Sequence, residues 1–161
     1  MKRILTFGLI LGALVAVWQL LYGLLGLYTS PGTVWTATVV SILITIGVLV
    51  WGLMQTAKDG RRYWGQVVAG LLICLVALVI IIPVSFLFTG VLFPDYFDVV
   101  AEMQAEQWAG AGMSEGEIDD LLQKTGFMRS SPVAAIMGAI GTMITGFIIS
   151  LITGAFVRAK D

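Results

Sequence analysis

The chain has 161 residues, of which 58% are hydrophobic and 12% charged, and its formal net charge is −1. A soluble domain is about half apolar and about a quarter charged, so this composition excludes an ordinary soluble protein and indicates a membrane protein. Nucleic acid is not an expected partner of such a chain. Histidine is absent and Cys74 is the only cysteine, which excludes an internal disulfide and leaves no cluster for zinc, an iron–sulfur centre or a His-ligated haem.

The first apolar stretch, 4–28, follows Lys2 and Arg3 and predicts a membrane-spanning helix. It is longer than the ~7 to 15 apolar residues of a signal peptide, and no clear cleavage site follows, so we expect the helix to be retained. Small residues and one glutamine share a face of this helix, which we name the first seam: Gly8, Gly12, Ala16, Gln19, Gly23 and Gly26. A carboxamide facing lipid is costly, so Gln19 is expected to point inward and hydrogen-bond to another helix.

The next two apolar stretches predict a second span over 34–54 and a third span over 65–90. A turn containing Pro and Gly precedes the second span, and a short basic loop separates it from the third. Hydroxyl and glycine residues follow one side of the second span: Thr38, Ser41, Thr45 and Gly52. Because Ser and Thr can satisfy their hydroxyls on carbonyls of their own helix, this stripe favours helix packing over a conduction path.

The hydrophilic segment 93–131 predicts two short amphipathic helices outside the membrane. In the first helix, acidic residues occupy a narrow face, so the helix is expected to lie on an apolar surface with its carboxylates in water. This acidic face consists of Asp95, Asp98, Glu102 and Glu106. Ser114 and Glu117 have the spacing of a capping box that begins the second helix, and Gly126 is expected to end it.

The last apolar stretch, 132–157, predicts the fourth span, with Ser131 and Pro132 as its start signals. Small residues recur here at every fourth position and form what we name the second seam: Ala134, Gly138, Thr142, Gly146, Ser150 and Gly154. Such a row lets another helix approach closely. We expect its partner to be the first seam, with a second copy of the protein as the alternative.

The distribution of cations predicts that both termini are cytoplasmic. This orientation places inside the cations Lys2, Arg3, Lys58, Arg61, Arg62, Arg158 and Lys160. Only Lys124 and Arg129 then lie outside, together with all acidic residues between Asp95 and Asp120. The sequence therefore predicts an all-α integral membrane four-helix bundle, a single domain over 1–161, with an extracytoplasmic amphipathic segment between the third and fourth spans.

Several motifs of the chain resemble a known family. They are Pro94-Asp95-Tyr96, Gly112-Met113-Ser114-Glu115, Glu117-Ile118-Asp119, Ser131-Pro132 and Gly146-Phe147-Ile148-Ile149-Ser150-Leu151-Ile152. Together with the apolar hairpin and the basic loop, they resemble, over nearly the whole chain, the small bacterial membrane proteins classed as domain of unknown function 4199. The resemblance implies a bacterial inner-membrane location and a four-span fold. It implies no activity and no catalytic residues, because none is assigned to the family.

No charged residue lies in any predicted span. Ion-coupled transporters carry such residues at their coupling sites, so a pump or coupled carrier is not expected. No base accompanies the Ser and Thr hydroxyls, and Ser-x-x-Lys and Gly-x-Ser-x-Gly are absent, so we expect no enzyme and assign no catalytic, cofactor or metal residue. The acidic face, or Asp119 with Asp120, is an alternative site for Ca²⁺ or Mg²⁺, although a solvated face is the simpler interpretation.

Two seams of small residues without reactive groups favour a non-enzymatic assembly or interaction protein. Such a protein would associate with itself or serve as an accessory subunit of a larger membrane complex. The alternative is a small transport or lipid-handling protein that uses a gap between helices around Gln19, Thr45 and Ser150. The lipid bilayer is an expected partner in both cases, and a second copy of the protein or a larger membrane complex is a possible further partner.

Overall fold

The computed structural model describes residues 1–157, which form six α-helices. They are α1 (Lys2–Leu24), α2 (Thr36–Ala57), α3 (Tyr63–Leu87), α4 (Tyr96–Gly110), α5 (Glu115–Thr125) and α6 (Ser131–Val157). Four of them are long and apolar enough to cross a membrane, namely α1, α2, α6 and α3 with its extension to Leu92. The all-α class, the four spans and the short helices between the third and fourth spans are confirmed. Arg158 and Lys160, used above to predict the orientation, lie outside the described residues.

The spans end where the backbone leaves the α-helical conformation, and this moves two predicted boundaries. α1 ends at Leu24 instead of residue 28, because Gly26 adopts a left-handed conformation with φ 65° and a single 3-10 turn follows it. α3 begins at Tyr63 and passes directly into a π-helical turn, Phe88–Leu92. A hydropathy profile cannot locate these helix ends, because the residues around them are mostly apolar.

α3 is the central helix of the bundle. It packs against α1 and against α6, and α2 in turn packs against both of those helices. α1 and α6 stand at opposite corners and, within residues 1–157, make at most marginal contact. The predicted pairing of the first seam with the second is therefore wrong, because Gly8 and Gly12 of the first seam and Gly146 and Gly154 of the second have their closest neighbours in α3.

Two glycines of the first seam allow α1 to lie close to α3. A Cβ added at Gly12 would lie 2.9 Å from the carbonyl oxygen of Ala77. A Cβ added at Gly8 would lie 2.9 Å from the carbonyl oxygen of Ile73. Backbone atoms cannot move aside as the end of a flexible side chain can, so larger residues at these positions would force the helices apart.

One half of the second seam packs against α3. Its residues pair with α3 as follows: Gly146 with Cys74, Ser150 with Gly70, and Gly154 with Gln66. The α3 positions also recur at every fourth residue, so two rows with the same spacing interlock along antiparallel helices. We name these pairs the α3–α6 rows. The other half of the second seam is open, since a Cβ added at Gly138 would meet nothing within 4 Å.

The end of the bundle that carries Lys2 and the loop between α2 and α3 is named the basic end. Arg3 Nη1 lies 2.8 Å from Asp59 Oδ1, and Arg3 also donates a hydrogen bond to the carbonyl of Gln55. The main apolar core fills the half of the bundle nearest this end. Leu11, Leu49 and Ile73 are fully buried there. This half of the bundle is closely packed.

The opposite end, named the acidic end, is organised by aromatic rings. Tyr22, Tyr28 and Phe88 are buried and pack with Phe93 and with Tyr96, the first residue of α4. The ring centroid of Tyr96 lies 5.5 Å from those of Tyr28 and Phe88. α4 therefore rests on the bundle through its aromatic face, and its predicted acidic face is exposed, as expected.

The predicted capping box at the start of α5 is confirmed. The backbone amide of Ser114 donates to Glu117 Oε2 at 2.9 Å, and the amide of Glu117 donates to Ser114 Oγ at 3.4 Å. Hydrogen bonds from the Ser114 backbone and hydroxyl hold the pKa of Glu117 below its usual value. Gly126 directly follows the last residue of α5, but with right-handed geometry. α6 starts at Ser131, which is its first helical residue.

Candidate functional site

A cavity of about 510 Å³ lies between the spans in the half of the bundle next to the acidic end. All four spans and the start of α4 contribute to its wall. Its volume falls in the range of roughly 300 to 1,000 Å³ that is typical of small-molecule sites. The polar part of the wall consists of Ser and Thr hydroxyls, one carboxamide, one indole and two phenols, and no lining residue carries a charge. The site can therefore offer hydrogen bonds but no ion pair.

Gln19 supplies the carboxamide of the cavity wall. Its Oε1 accepts a hydrogen bond from Ser85 Oγ of α3 at 3.2 Å. The prediction that Gln19 points inward and bonds to another helix is thus confirmed. Its Nε2 makes no hydrogen bond to any residue of the described part of the chain, and the side chain is half-buried. Gln19 therefore holds free donor capacity at the cavity.

Hydroxyl groups line the α2 and α6 walls of the cavity. Thr45 donates to the carbonyl of Ser41 at 2.7 Å, and Thr142 donates to the carbonyl of Gly138 at 2.9 Å. These bonds satisfy the hydroxyl protons within each helix and leave the oxygens as acceptors. The stripe on α2 was interpreted above as a packing surface, but its outer half faces the cavity instead.

The cavity is open on one side, between α2 and α6. The exposed residues of its wall all belong to these two helices: Thr38, Ile42, Met137, Gly138 and Gly141. An added Cβ at either of the two glycines would meet nothing within 4 Å, whereas Gly146, further along α6, lies close to Leu49 of α2. The two helices thus pack near the middle of the bundle and separate toward the acidic end. Because this side of the bundle belongs to the membrane-spanning surface, the opening faces lipid.

The cavity is closed at its deep end and covered at the acidic end. The closely packed core around Leu49 and Ile73 lies beyond its deepest residues, so the cavity does not cross the bundle. Tyr96 and Phe97 of α4 cover the other end. Burial raises the pKa of the Tyr96 phenol above its usual value, and a hydrogen bond with Tyr22 offsets part of this shift. Tyr96 is therefore neutral at physiological pH.

Two of the three residues named for a gap between helices belong to the cavity. Gln19 and Thr45 line it. Ser150 does not, because it is fully buried against Gly70 in the α3–α6 rows, and its Oγ has no hydrogen-bond partner among the described residues. We grouped Ser150 with Gln19 and Thr45 because it lies on the second seam. That seam lines the cavity at one end of α6 and packs against α3 at the other.

Other residues of the site were not identified from the sequence. Trp18 Nε1 donates to the Ala37 carbonyl at 3.3 Å and so fixes α1 against the start of α2. Thr89 and Ser131 are hydrogen-bonded through their hydroxyls at 2.8 Å and join the end of α3 to the start of α6. Trp18 is adjacent to Gln19 in the sequence, and this proximity could have indicated that it belongs to the site. Thr89 and Ser131 are far apart in the chain, so the sequence did not indicate that their hydroxyls are hydrogen-bonded.

The acidic face of α4 and the pair Asp119 and Asp120 were considered as cation sites. Within residues 1–157, no three Asp, Glu or Cys side chains form a group that could hold a metal ion. The carboxylates of α4 are exposed and spread along the helix. Asp120 instead pairs with Lys124 one helical turn later, with 2.6 Å between Oδ2 and Nζ. This arrangement is that of a solvated helix face.

Comparison with known proteins gives a family without an activity. No curated protein and no solved structure matches the chain. Residues 6–159 match the family described as Protein of unknown function (DUF4199). The match agrees with the resemblance noted from the sequence motifs. Because it covers nearly the whole chain, the protein belongs to the DUF4199 family.

Proposed function

We propose that this protein is a non-enzymatic, multi-pass protein of the bacterial cytoplasmic membrane that binds a membrane amphiphile in the cavity. The observation that carries the proposal is the combination of an uncharged, mainly apolar wall that holds several hydroxyls and one carboxamide with an opening on the lipid-facing side between α2 and α6. An amphiphile can reach such a site from the bilayer without crossing water. Its polar group would gain hydrogen bonds in the cavity, and its chain would remain in an apolar environment.

The charge distribution supports an orientation in which the cavity lies in the outer leaflet. The basic end carries Lys2, Arg3 and the basic loop, whereas the exposed acidic residues of α4 and α5 lie at the end where the cavity is. Cytoplasmic loops of membrane proteins are enriched in Lys and Arg. We therefore place the basic end and both termini in the cytoplasm. The amphiphile would then come from the outer leaflet.

Binding is a better proposal than catalysis or conduction. The cavity wall holds neither a charged group nor a histidine, so it has no general base for the Ser and Thr hydroxyls. Beyond the cavity, the fully buried residues Leu11, Leu49 and Ile73 occupy the path toward the basic end. These tightly packed side chains leave no continuous polar path for an ion or polar solute.

Assembly with other proteins, which the sequence favoured, is the weaker proposal. Among the seam glycines that motivated it, Gly138 is exposed and borders the cavity opening, whereas Gly8, Gly12 and Gly146 are buried and are used for contacts inside the bundle. These three buried glycines do not offer a surface to a second chain. Chemical crosslinking of the full chain in mild detergent tests assembly directly, and a purely monomeric protein would argue against it.

Native mass spectrometry of the full-length protein, purified from its membrane in mild detergent, tests the proposed binding. We expect the wild type to retain an amphiphile. The double variant Gly138→Leu with Gly141→Leu should retain much less, because both added side chains enter the open gap between α2 and α6. Gly47→Leu is a matched control, since Gly47 is an exposed glycine of α2 that does not line the cavity and has equally free space around it.

Two results would overturn the proposal. One is a wild type that carries no amphiphile and whose melting temperature is not raised by added fatty alcohol, monoacylglycerol, fatty acid or phospholipid. The other is equal retention of the bound amphiphile by the wild type and by the double variant. Loss of binding in Gly47→Leu as well would mean that the effect does not arise at the cavity.

A further inference from the structure

We propose that the ligand of the cavity is an uncharged amphiphile whose head group carries hydrogen-bond acceptors, of a chemistry such as that of a monoacylglycerol or fatty alcohol. This inference rests on the proposed binding function and specifies the chemistry of the same site. Three observations carry it: the free donor of Gln19, the absence of charge around it, and the position of the opening.

The first observation is the unpaired amide of Gln19. Its oxygen accepts a hydrogen bond from Ser85 in the structure, which leaves the Nε2 donors without a partner among the described residues. The carboxamide is half-buried in the cavity wall, below an aromatic cover. A hydroxyl, ether or ester oxygen of a ligand would satisfy this donor. The nearby hydroxyl oxygens of Ser41 and Thr45 can accept hydrogen bonds from a ligand alcohol.

The second observation is that no cation is available to neutralise an anionic head group. No lining residue is charged, and the two cations near the acidic end in the described chain are engaged elsewhere. Lys124 Nζ lies 2.6 Å from Asp120 Oδ2, and Arg129 donates to the carbonyl of Leu122 at 2.7 Å. A phosphate in this cavity would be desolvated without a counter-charge, which is strongly unfavourable. The same argument excludes a cationic head group, because the wall holds no carboxylate.

The third observation concerns the chain of the ligand. Ile42 of α2 and Met137 of α6 border the opening and are exposed on the lipid-facing surface. A head group bound at Gln19 would therefore send its chain outward between these two side chains into the bilayer. The cavity of about 510 Å³ then has to accommodate only the head and the first part of the chain.

Photolabelling with two probes that share one chain tests this inference. The probes are a monoacylglycerol and a lysophosphatidic acid, each with a diazirine near the head group, and each is added to the full-length protein in nanodiscs of neutral phospholipid. We expect the monoacylglycerol to label peptides of α2 and α6 that line the cavity at least about tenfold more than the phosphate probe. Gln19→Leu should lower the monoacylglycerol labelling several-fold. Gln104→Leu, on the exposed side of α4 and outside the cavity, should leave it unchanged.

The possible outcomes separate this inference from the proposed function. If neither probe labels the cavity peptides, the proposed function itself fails. If both probes label them equally in the wild type, or the phosphate probe labels them more, the cavity binds amphiphiles but the inferred head-group chemistry is wrong. The wild-type comparison requires no variant, so it stands even if Gln19→Leu does not fold. Undiminished labelling in a folded Gln19→Leu protein would remove Gln19 from the site.

Discussion

Moving one side chain from α6 to α3 tests the α3–α6 rows. The side chain of Ser150 occupies the space beside Gly70, and a Cβ added at Gly70 would overlap Ser150 Oγ and lie 2.8 Å from Ser150 Cβ. Gly70→Ala alone is therefore expected to push α6 away from α3. Gly70→Ala combined with Ser150→Gly should restore the contact, because the double variant exchanges a small side chain between the two helices and keeps their separation.

The size of the effect follows from two opposing contributions. Overpacking of a close contact costs about 1 to 3 kcal/mol. Replacing glycine by alanine inside a helix stabilises the helix by roughly 0.5 to 1 kcal/mol. Because the Cβ added at Gly70 would overlap Ser150, we take the upper part of the overpacking range, about 2 to 3 kcal/mol. Subtracting about 1 kcal/mol for helix propensity leaves a net loss of about 1 to 2 kcal/mol, which corresponds to a roughly 5- to 30-fold increase in the population of molecules in which the α3–α6 contact is open.

Cys74 provides the assay. It is the only cysteine of the chain, it is fully buried, and it lies in the same rows opposite Gly146. The rate at which a thiol-reactive fluorophore modifies Cys74 in detergent micelles reports how often this contact opens. Gly70→Ala should react roughly 5- to 30-fold faster than the wild type, and the double variant should react at a rate close to that of the wild type.

Gly47→Ala is the control for helix propensity, since its new Cβ would meet nothing within 4 Å. It should not react faster than the wild type. The reasoning is refuted if Gly70→Ala reacts no faster than the wild type. It is also refuted if the double variant reacts as fast as Gly70→Ala, because the effect would then not depend on the space that Ser150 occupies.

Four further changes have defined outcomes. Ser150→Ala should raise the free energy of unfolding by about 1 kcal/mol, because it removes a buried hydroxyl without a hydrogen-bond partner in the described chain, and a lower thermal midpoint would contradict this. Thr56→Val should lower that free energy by about 1 to 3 kcal/mol, because Thr56 Oγ1 donates to the fully buried Gln66 Oε1 at 2.7 Å, and an unchanged midpoint in a detergent titration would contradict it. Ser114→Ala should destabilise α5 by about 1 kcal/mol, measured as faster amide exchange in that helix. The pKa of Glu117 is lower in the folded protein than in the unfolded chain. The stabilisation of α5 by the ionised Glu117 side chain should therefore be complete above the unfolded pKa of about 4.3 and be lost as the pH falls through the lower folded pKa. Glu117→Gln should abolish this pH dependence.

The sequence was sufficient to predict the spans and the inward position of Gln19. Both follow from the cost of exposing polar groups to lipid, which acts on each residue regardless of its distant neighbours. This reasoning could not identify Ser85 as the hydrogen-bond partner of Gln19, because the two residues are 66 positions apart along the chain.

The pairing of the seams was not predictable from their spacing alone. A row of small residues identifies the face of a helix that packs closely but not the helix that it meets. α3 carries a row of its own at Gln66, Gly70 and Cys74, and recognising that row would have indicated the central helix. It was hidden because Gln66 is a large polar residue and does not fit a pattern of small side chains.

The cavity depends on where the helices separate, which is a property of their relative positions. Thr45 and Leu49 are four residues apart on α2, yet the first lines the cavity and the second belongs to the core. The amino-acid composition of α2 does not show which of these positions faces the cavity and which faces the core. Likewise, the second seam passes from the cavity wall at Gly138 to a packed contact at Gly146, although both are glycines in the same row.

The central position of α3 has a consequence for how the chain matures in the membrane. The α1–α2 hairpin leaves the ribosome first, and Gly8 and Gly12 then face lipid until α3 is inserted. α6 is made last, after both α2 and α3, the helices that it contacts. Quality control should therefore respond to changes in α3 at an earlier stage of synthesis than to changes in α6, and a chain stopped after α4 should expose the Gly70 side of α3 to lipid.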